Sequence, residues 1–270
     1  MHPRGHGRVP GGWLTDLAPR FDCYRGAGQA IFRSSDPLGG RRGGLSSPAA
    51  NIAHVKLWDA APVRRMLGET GRERLRHRAS ELRWTVRLAA LPPRVAAFQL
   101  RARRLAWRSE DYLSLMSVTR PRDLRVLLAL ARGRSRVVEL GTATGWTTIA
   151  LALDDAQRQV VSYDVVGRPE PQRYLQLVAP SVRARIELVT APGSDGPRDA
   201  APVDMLYIDS SHEREQTIAE VLAWRPVLAP GAPIVFDDYL HAGFPGVREA
   251  IVELGLSGEQ HGALFVHRTR

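Results

Sequence analysis

Three carboxylates and one histidine are the residues of this sequence best suited to chemistry. "DMLYIDSSHEREQT" delivers Asp209 and, three residues later, His212, and "APIVFDDYL" delivers Asp237 and Asp238. Both sets follow apolar runs of the kind that become buried strands. A buried charge is costly unless it is paired, hydrogen-bonded or bound to metal, so these acids either sit at exposed strand ends or hold something. Carboxylates brought together repel, and a hard divalent cation relieves that repulsion; oxygen-only ligands favour Mg²⁺, Ca²⁺ or Mn²⁺ over Zn²⁺. An imidazole with an ordinary pKa of about 6.5 can take a proton at neutral pH, and His212 is read either as such a base or as a helix-capping or surface group.

A second group lies upstream. "VVELGTATGWTTIALAL" puts Glu139 at a strand end, Gly141, Ala143 and Gly145 in a turn, and Thr147 and Thr148 at the start of a helix. Glycines allow a ligand to approach the backbone closely, and the helix start offers N–H groups to an anionic group such as a carboxylate. The dinucleotide pattern G-x-G-x-x-G is not met: its three places hold Gly141, Ala143 and Trp146, which counts against NAD. "VVSYDVV" ends in Asp164, 19 residues after Gly145. A carboxylate there can accept ribose hydroxyls, or else cap a helix. The small residues of "RIELVTAPGSDGP" include Ser194, a looser candidate.

These residues need a scaffold that collects strand ends. Strand candidates "RVVEL", "QVVSYD", "RIELVT", "DMLYID" and "APIVFDD" alternate with helical text such as "REQTIAEVLAWRPVL", where Ile218, Val221 and Leu222 follow helical spacing. Strands separated by helices of this length predict right-handed crossovers and a parallel sheet covered on both faces. The expected fold is α/β, doubly wound and mostly parallel. Its ligand site lies outside the carboxyl ends of the strands. "GEQHGALFVHR" reads as one antiparallel edge strand after a Gly turn.

Residues 1–50 are rich in Gly, Pro, Arg and Ser and predict a disordered extension. From Asn51 to about residue 110 an Arg-rich helical flank or cap is expected, with Val55, Trp58, Val63, Met66, Leu75, Leu82 and Val86 at helical spacing and a break at Pro92 and Pro93. The remainder, 111–270, is the domain that carries the chemistry. The formal net charge of +10 is uneven: residues 1–134 carry net +16 and residues 135–270 net −6. Of the 38 basic residues only Lys56 is a lysine, as coding bias toward arginine would give, so a nucleic-acid partner is not favoured. Cys23 stands alone and excludes an intramolecular disulfide. No signal-peptide core or membrane-spanning run is evident, and a cytoplasmic location is expected.

The E-x-G-x-x-x-G turn from Glu139 to Gly145 resembles motif I of class I S-adenosylmethionine methyltransferases. That resemblance implies that Glu139, Gly141, Ala143 and Gly145 cradle the methionine part of the cofactor, that Thr147 meets its carboxylate, that Asp164 holds the ribose and that Ser194 lies near the adenine. The string from "YIDSSHE" to "FDDYLHAGFPGVREAI" is similar to methyltransferase family 24 and to catechol O-methyltransferase-like enzymes, with their I-D-x-x-H strand end, P-G turn and D-D-Y strand end. The resemblance covers roughly residues 112 to 268.

It implies a seven-stranded Rossmann-like sheet with an antiparallel edge strand, S-adenosylmethionine as cofactor and a divalent cation, Mg²⁺ first, on Asp209, Asp237 and Asp238. It also implies a small hydroxylated acceptor, with Asp209 among the cofactor and catalytic residues. His212 falls where catechol-type enzymes place a catalytic lysine, and Met116 and Ser117 fall where the family covers its cofactor. Four alternatives stay open: a metal-independent methyltransferase of the same fold, a non-catalytic cofactor-fold protein, a nucleic-acid methyltransferase gripping through the basic front half, and, least favoured because of Trp146, a dehydrogenase. Self-association as a homodimer is also open.

Overall fold

The computed structural model of the chain describes residues 82–269. The extension expected over 1–50, Cys23, and the helical text from Asn51 to residue 81 lie outside them. Seven strands form one sheet: β1 (Arg136–Leu140), β2 (Gln159–Asp164), β3 (Ile186–Thr190), β4 (Met205–Ile208), β5 (Pro233–Phe236), β6 (Gly258–His261) and β7 (Leu264–Arg268). Their order is β3-β2-β1-β4-β5-β7-β6. The first five pair in parallel, and β7 pairs antiparallel with β5 and with β6. This is the α/β, mostly parallel sheet that the alternation of strand and helix predicts, with the seven strands and antiparallel edge that the resemblance implies.

Helices α1 (Pro93–Arg108), α2 (Tyr112–Ser117) and α3 (Pro121–Leu130) precede the sheet. Helices α4 (Trp146–Asp154), α5 (Glu170–Leu175), α6 (Pro180–Arg183), α7 (Arg214–Trp224) and α8 (Pro245–Glu253) connect strands. Successive strand residues point to opposite faces, so each strand feeds two cores. On one face Val137, Val160, Tyr207 and Val235 pack with Leu124 and Leu127 of α3 and Ala150 and Leu151 of α4. On the other, Val138, Leu206, Ile234 and Phe236 pack with Val221 and Trp224 of α7 and Val247 and Ile251 of α8. Among the described residues no helix is long and apolar enough to cross a membrane.

One local expectation is corrected. "GEQHGALFVHR" is two strands: Gly262, at φ +66°, turns the chain so that His261 pairs with Leu264, and β7 enters the sheet between β5 and β6. On α7 the buried face runs through Thr217, Glu220, Val221 and Trp224, whereas Leu222 is 52% exposed. The indole of Trp224 donates to the Gly193 carbonyl at 2.7 Å, which holds that face inward. The break expected at Pro92 and Pro93 is found there: Pro92 caps α1 and Pro93 opens it, where a missing N–H costs nothing. The buried side chains flanking the pair are Leu88, Leu91 and Val95, while Leu82 and Val86 are exposed.

Candidate active site

The end of β1 touches the end of β4 at Gly141. Its φ is +105°, and a Cβ built there would fall 2.0 Å from the Asp209 carbonyl oxygen. Only glycine permits this approach, which places the turn after β1 against the first acidic strand end; Asp209 N–H donates to Leu140 O at 2.8 Å. The turn continues through Ala143, at φ +45°, to Gly145, at φ +80°, which caps α4. Asp164, at the end of β2, ties it down. One carboxylate oxygen accepts from Ala143 N–H at 2.8 Å and the other from Val166 N–H at 2.9 Å. Each oxygen keeps a second lone pair for a ligand.

Two threonines at the start of α4 tie the turn to its neighbours. Thr147 Oγ1 lies 2.7 Å from Thr119 Oγ1, so its hydroxyl also joins α4 to the segment before α3. In that segment Ser117 Oγ is buried with no hydrogen-bond partner. Thr148 donates to Glu139, and Ser162 donates to the same carboxylate oxygen at 2.6 Å. Glu139 is therefore a buried carboxyl beneath the turn, 1% exposed. Burial drives its pKa up to about 8; the two hydroxyls pull it down, and the charges of Asp209 and Asp164 push it up again. Ser194 stands half-buried on the short 3₁₀ turn Gly193–Asp195 after β3, beside the Gly193 carbonyl that Trp224 holds. Trp146, in the place of a third glycine, packs edge-on against Tyr174 at 5.1 Å.

The raised Glu139 carboxyl yields a stability prediction. Below the unfolded value of 4.5 the group is protonated in both states and does not oppose folding. As pH rises toward about 8 the unfolded chain ionises first, so stability falls across that window. Glu139→Gln, which keeps an acceptor for both hydroxyls and cannot ionise, is expected to remove a fall on the order of a few kcal/mol. Denaturant unfolding at pH 5 and pH 8 measures it; an equally steep fall in the variant would place the titrating group elsewhere.

The carboxylates of β4 and β5 are brought together. Asp237 N–H donates to Ile208 O at 2.9 Å, which sets the second acidic strand end beside the first. Tyr207 Oη lies 3.0 Å from an oxygen of Asp209 and 3.0 Å from one of Asp237. It has a single proton, so the two carboxylates are coupled through it. Asp238 N–H donates to the other Asp237 oxygen at 2.9 Å. Asp237 and Asp238 are buried, at 0% and 5% exposure.

His212 reaches across to both strand ends, with Nε2 3.3 Å from Asp209 Oδ1 and 3.8 Å from Asp238 Oδ2. These are ion-pair distances rather than aligned hydrogen bonds. Desolvation opposes its charge, but Asp209, then Asp238 and Asp237, outweigh it and raise the imidazole above its ordinary pKa. The ring stacks on Phe244 at 4.6 Å, and Phe244 stacks on His241 at 4.4 Å. Among the described residues the non-glycine positions at positive φ are Glu110, Ala143, His212 and Asp238. Three of the four belong to the candidate site, and backbone strain of this kind concentrates where function over-determines geometry.

Tyr207 and Phe244 are missing from the sequence reading. Tyr207 was legible: two residues before Asp209 on a strand, it shares that residue's face. Phe244 was not, because its contact arises from the loop between β5 and α8. All donors of the acidic set are oxygens, so by its chemistry the set suits a hard cation. Among the described residues, however, no three His, Cys, Asp or Glu side chains are arranged to hold an ion.

Residues 138–239 match the family described as a methyltransferase domain, methyltransferase family 24. This segment, less than half of the chain, is similar to a methyltransferase domain. The matched segment spans the glycine turn, Asp164 and both acidic strand ends. No curated protein matches the chain in sequence. Among solved structures it is similar to the O-methyltransferase from Bacillus cereus in complex with SAH, at 16% identity, covering 62% of this chain and 88% of that one, TM-score 0.49. It is also similar to the O-methyltransferase TomG from Streptomyces achromogenes, involved in tomaymycin synthesis, in complex with SAM, at 22% identity, covering 57% of this chain and 82% of that one, TM-score 0.42. CalS11, a calicheamicin methyltransferase, is 17% identical, over 66% of this chain and 93% of its own, TM-score 0.45.

Proposed function

We propose that this protein is a methyltransferase that moves the methyl group of S-adenosylmethionine to a hydroxyl of a small molecule. The observation that carries the reading is the join at Gly141. It brings the glycine turn and Asp164 to one side, and Asp209, His212, Asp237 and Asp238 to the other, within a single strand-end site. The turn and the N-terminus of α4 would receive the methionine part of the cofactor, with Thr147 near its carboxylate. Asp164 would accept the ribose hydroxyls with its remaining lone pairs, and Ser194 would lie toward the adenine. Glu139, buried under the turn, would shape the cradle from beneath.

The reaction is an in-line attack of oxygen on the sulfonium methyl, so the protein must align three atoms and remove a proton from the oxygen. His212, held by Asp209 and Asp238 and stacked on Phe244, is the group proposed to take that proton. Asp209 keeps the ring oriented and offsets its charge as the imidazolium forms. Opposite charges cancel as the transition state develops, so exclusion of water favours the reaction, and the segment with Met116 and Ser117 is placed before α3 to provide it.

The acidic set also supports a divalent cation as part of this reading. Asp209, Asp237 and Asp238 would hold it, and when bound it would lower the pKa of the acceptor hydroxyl. A metal-free version of the same chemistry is the second reading, because the His212 ring stands 3.3 Å from Asp209 and 3.8 Å from Asp238. One experiment tests both. Full-length protein is incubated with S-adenosylmethionine and a panel of phenols, catechols and sugar alcohols, with EDTA or with EDTA followed by excess Mg²⁺. The expected result is methylated product, a drop of about tenfold or more with EDTA, and recovery with Mg²⁺. Turnover indifferent to EDTA removes the cation from the mechanism, and absence of cofactor binding to the wild type removes the methyl-transfer reading itself.

A further inference from the structure

One cavity next to the acidic cluster is lined with the opposite charge. It has a volume of about 640 Å³, and Asp238 and His241 form part of its wall. The same cavity is lined by Arg87, Arg120, Arg122 and Arg125, all exposed, and by Asp123. The loop before α3 and the first turns of α3 supply three of these arginines, and the helical segment packed beside it supplies the fourth. Among the described residues none of the four has a carboxylate within ion-pair distance. The volume is that of a small-ligand site, within the common range of about 300–1,000 Å³.

Four guanidinium groups with no carboxylate at ion-pair distance among the described residues outnumber the two acids of the lining, Asp123 and Asp238, and form a site for an anion. A single carboxylate would leave most of that positive charge unanswered. A phosphate or diphosphate group presents two or more charges and several acceptor oxygens to planar forks, and it answers more of it. Asp238 would repel the same group, so the ligand has a favoured direction in the cleft: anion toward the arginines, neutral hydroxyl toward Asp238, whose Oδ2 lies 3.8 Å from His212 Nε2. Resting on the methyl-transfer reading, we infer that the methyl acceptor is a phosphorylated alcohol, its phosphate or diphosphate held by Arg120, Arg122 and Arg125 together with Arg87. The charges orient the acceptor before chemistry, which is where an enzyme gains from a fixed approach.

Calorimetric titration tests this with the full chain in metal-free buffer. Inorganic pyrophosphate is the probe, the proteins are the wild type and an Arg120→Gln/Arg122→Gln/Arg125→Gln variant, and S-adenosylhomocysteine is titrated into both. Pyrophosphate is expected to bind the wild type and to bind the variant at least about tenfold more weakly, while S-adenosylhomocysteine binds both alike, which also shows the variant to be folded. Equal affinity of pyrophosphate for both proteins, or none for the wild type, overturns the proposal. Malonate binding as tightly as pyrophosphate overturns the assignment to phosphate. Failure of the methyl-transfer reading shows separately, as loss of S-adenosylhomocysteine binding to the wild type.

Discussion

Gly141→Ala is expected to lower cofactor affinity by about a hundredfold and to destabilise the fold by more than about 4 kcal/mol. Two penalties coincide at this residue. Its φ of +105° lies outside the conformations that a side chain tolerates, and the added Cβ would sit 2.0 Å from the Asp209 carbonyl oxygen, a backbone atom with no flexible end to swing away. Relief requires β1 and β4 to part at their carboxyl ends. That separation moves the glycine turn relative to Asp209, and a displacement of about an ångström at a reacting geometry is enough for the loss stated. Gly133 provides the control: its φ is +69°, but nothing lies within 4 Å of a Cβ built there. Gly133→Ala should cost only the intrinsic left-handed penalty of about 1–2 kcal/mol and leave cofactor affinity intact. Thermal unfolding and calorimetric titration of S-adenosylhomocysteine measure both variants. Similar losses in the two would show that conformational strain, and not the contact with β4, governs the turn.

The strand ends were the most legible part of the molecule. β1 and β2 fall on "RVVEL" and "QVVSYD" residue for residue, because a strand buried on both faces is an apolar run with sharp polar borders. Asp209, Asp237 and Asp238 could be expected at one sheet edge, since parallel neighbours deliver their carboxyl ends to the same side. What each side chain does there was less legible. Glu139 sits at a strand end in the sequence exactly as Asp164 does, yet one is buried under two hydroxyls and the other faces the turn's N–H groups; the difference lies in the partners Thr148 and Ser162, which come from two other elements. The edge hairpin was missed because β propensity on both sides of Gly262 outweighed a single glycine. The arginine-lined wall was invisible for a related reason. In the sequence its members are a small part of a basic front half, and only the folded chain brings them into one cavity with Asp238.

His212→Asn is expected to reduce kcat by about 10²–10⁴-fold while S-adenosylhomocysteine affinity stays within about twofold. The geometry separates those two effects. His212 contacts Asp209, Asp238 and Phe244, all on the acidic side of the Gly141 join, and none of the turn residues. Asparagine keeps a polar group of modest size there but cannot accept a proton at neutral pH. Asp209→Asn should fall in the same direction, because the histidine then loses the nearer of its two carboxylates and the coupling through Tyr207 to Asp237. The double variant distinguishes a catalytic pair from two independent contributors: residues acting as a unit show a combined loss close to the larger single loss, not the product of both. Tyr207→Phe adds a graded case, since it removes only the hydroxyl between the carboxylates, and a loss smaller than either is expected. Single-turnover rates with saturating cofactor provide the readout. If His212→Asn turns over within about threefold of the wild type, the imidazole serves to neutralise Asp209 and Asp238, and proton removal belongs to another group at the same strand ends.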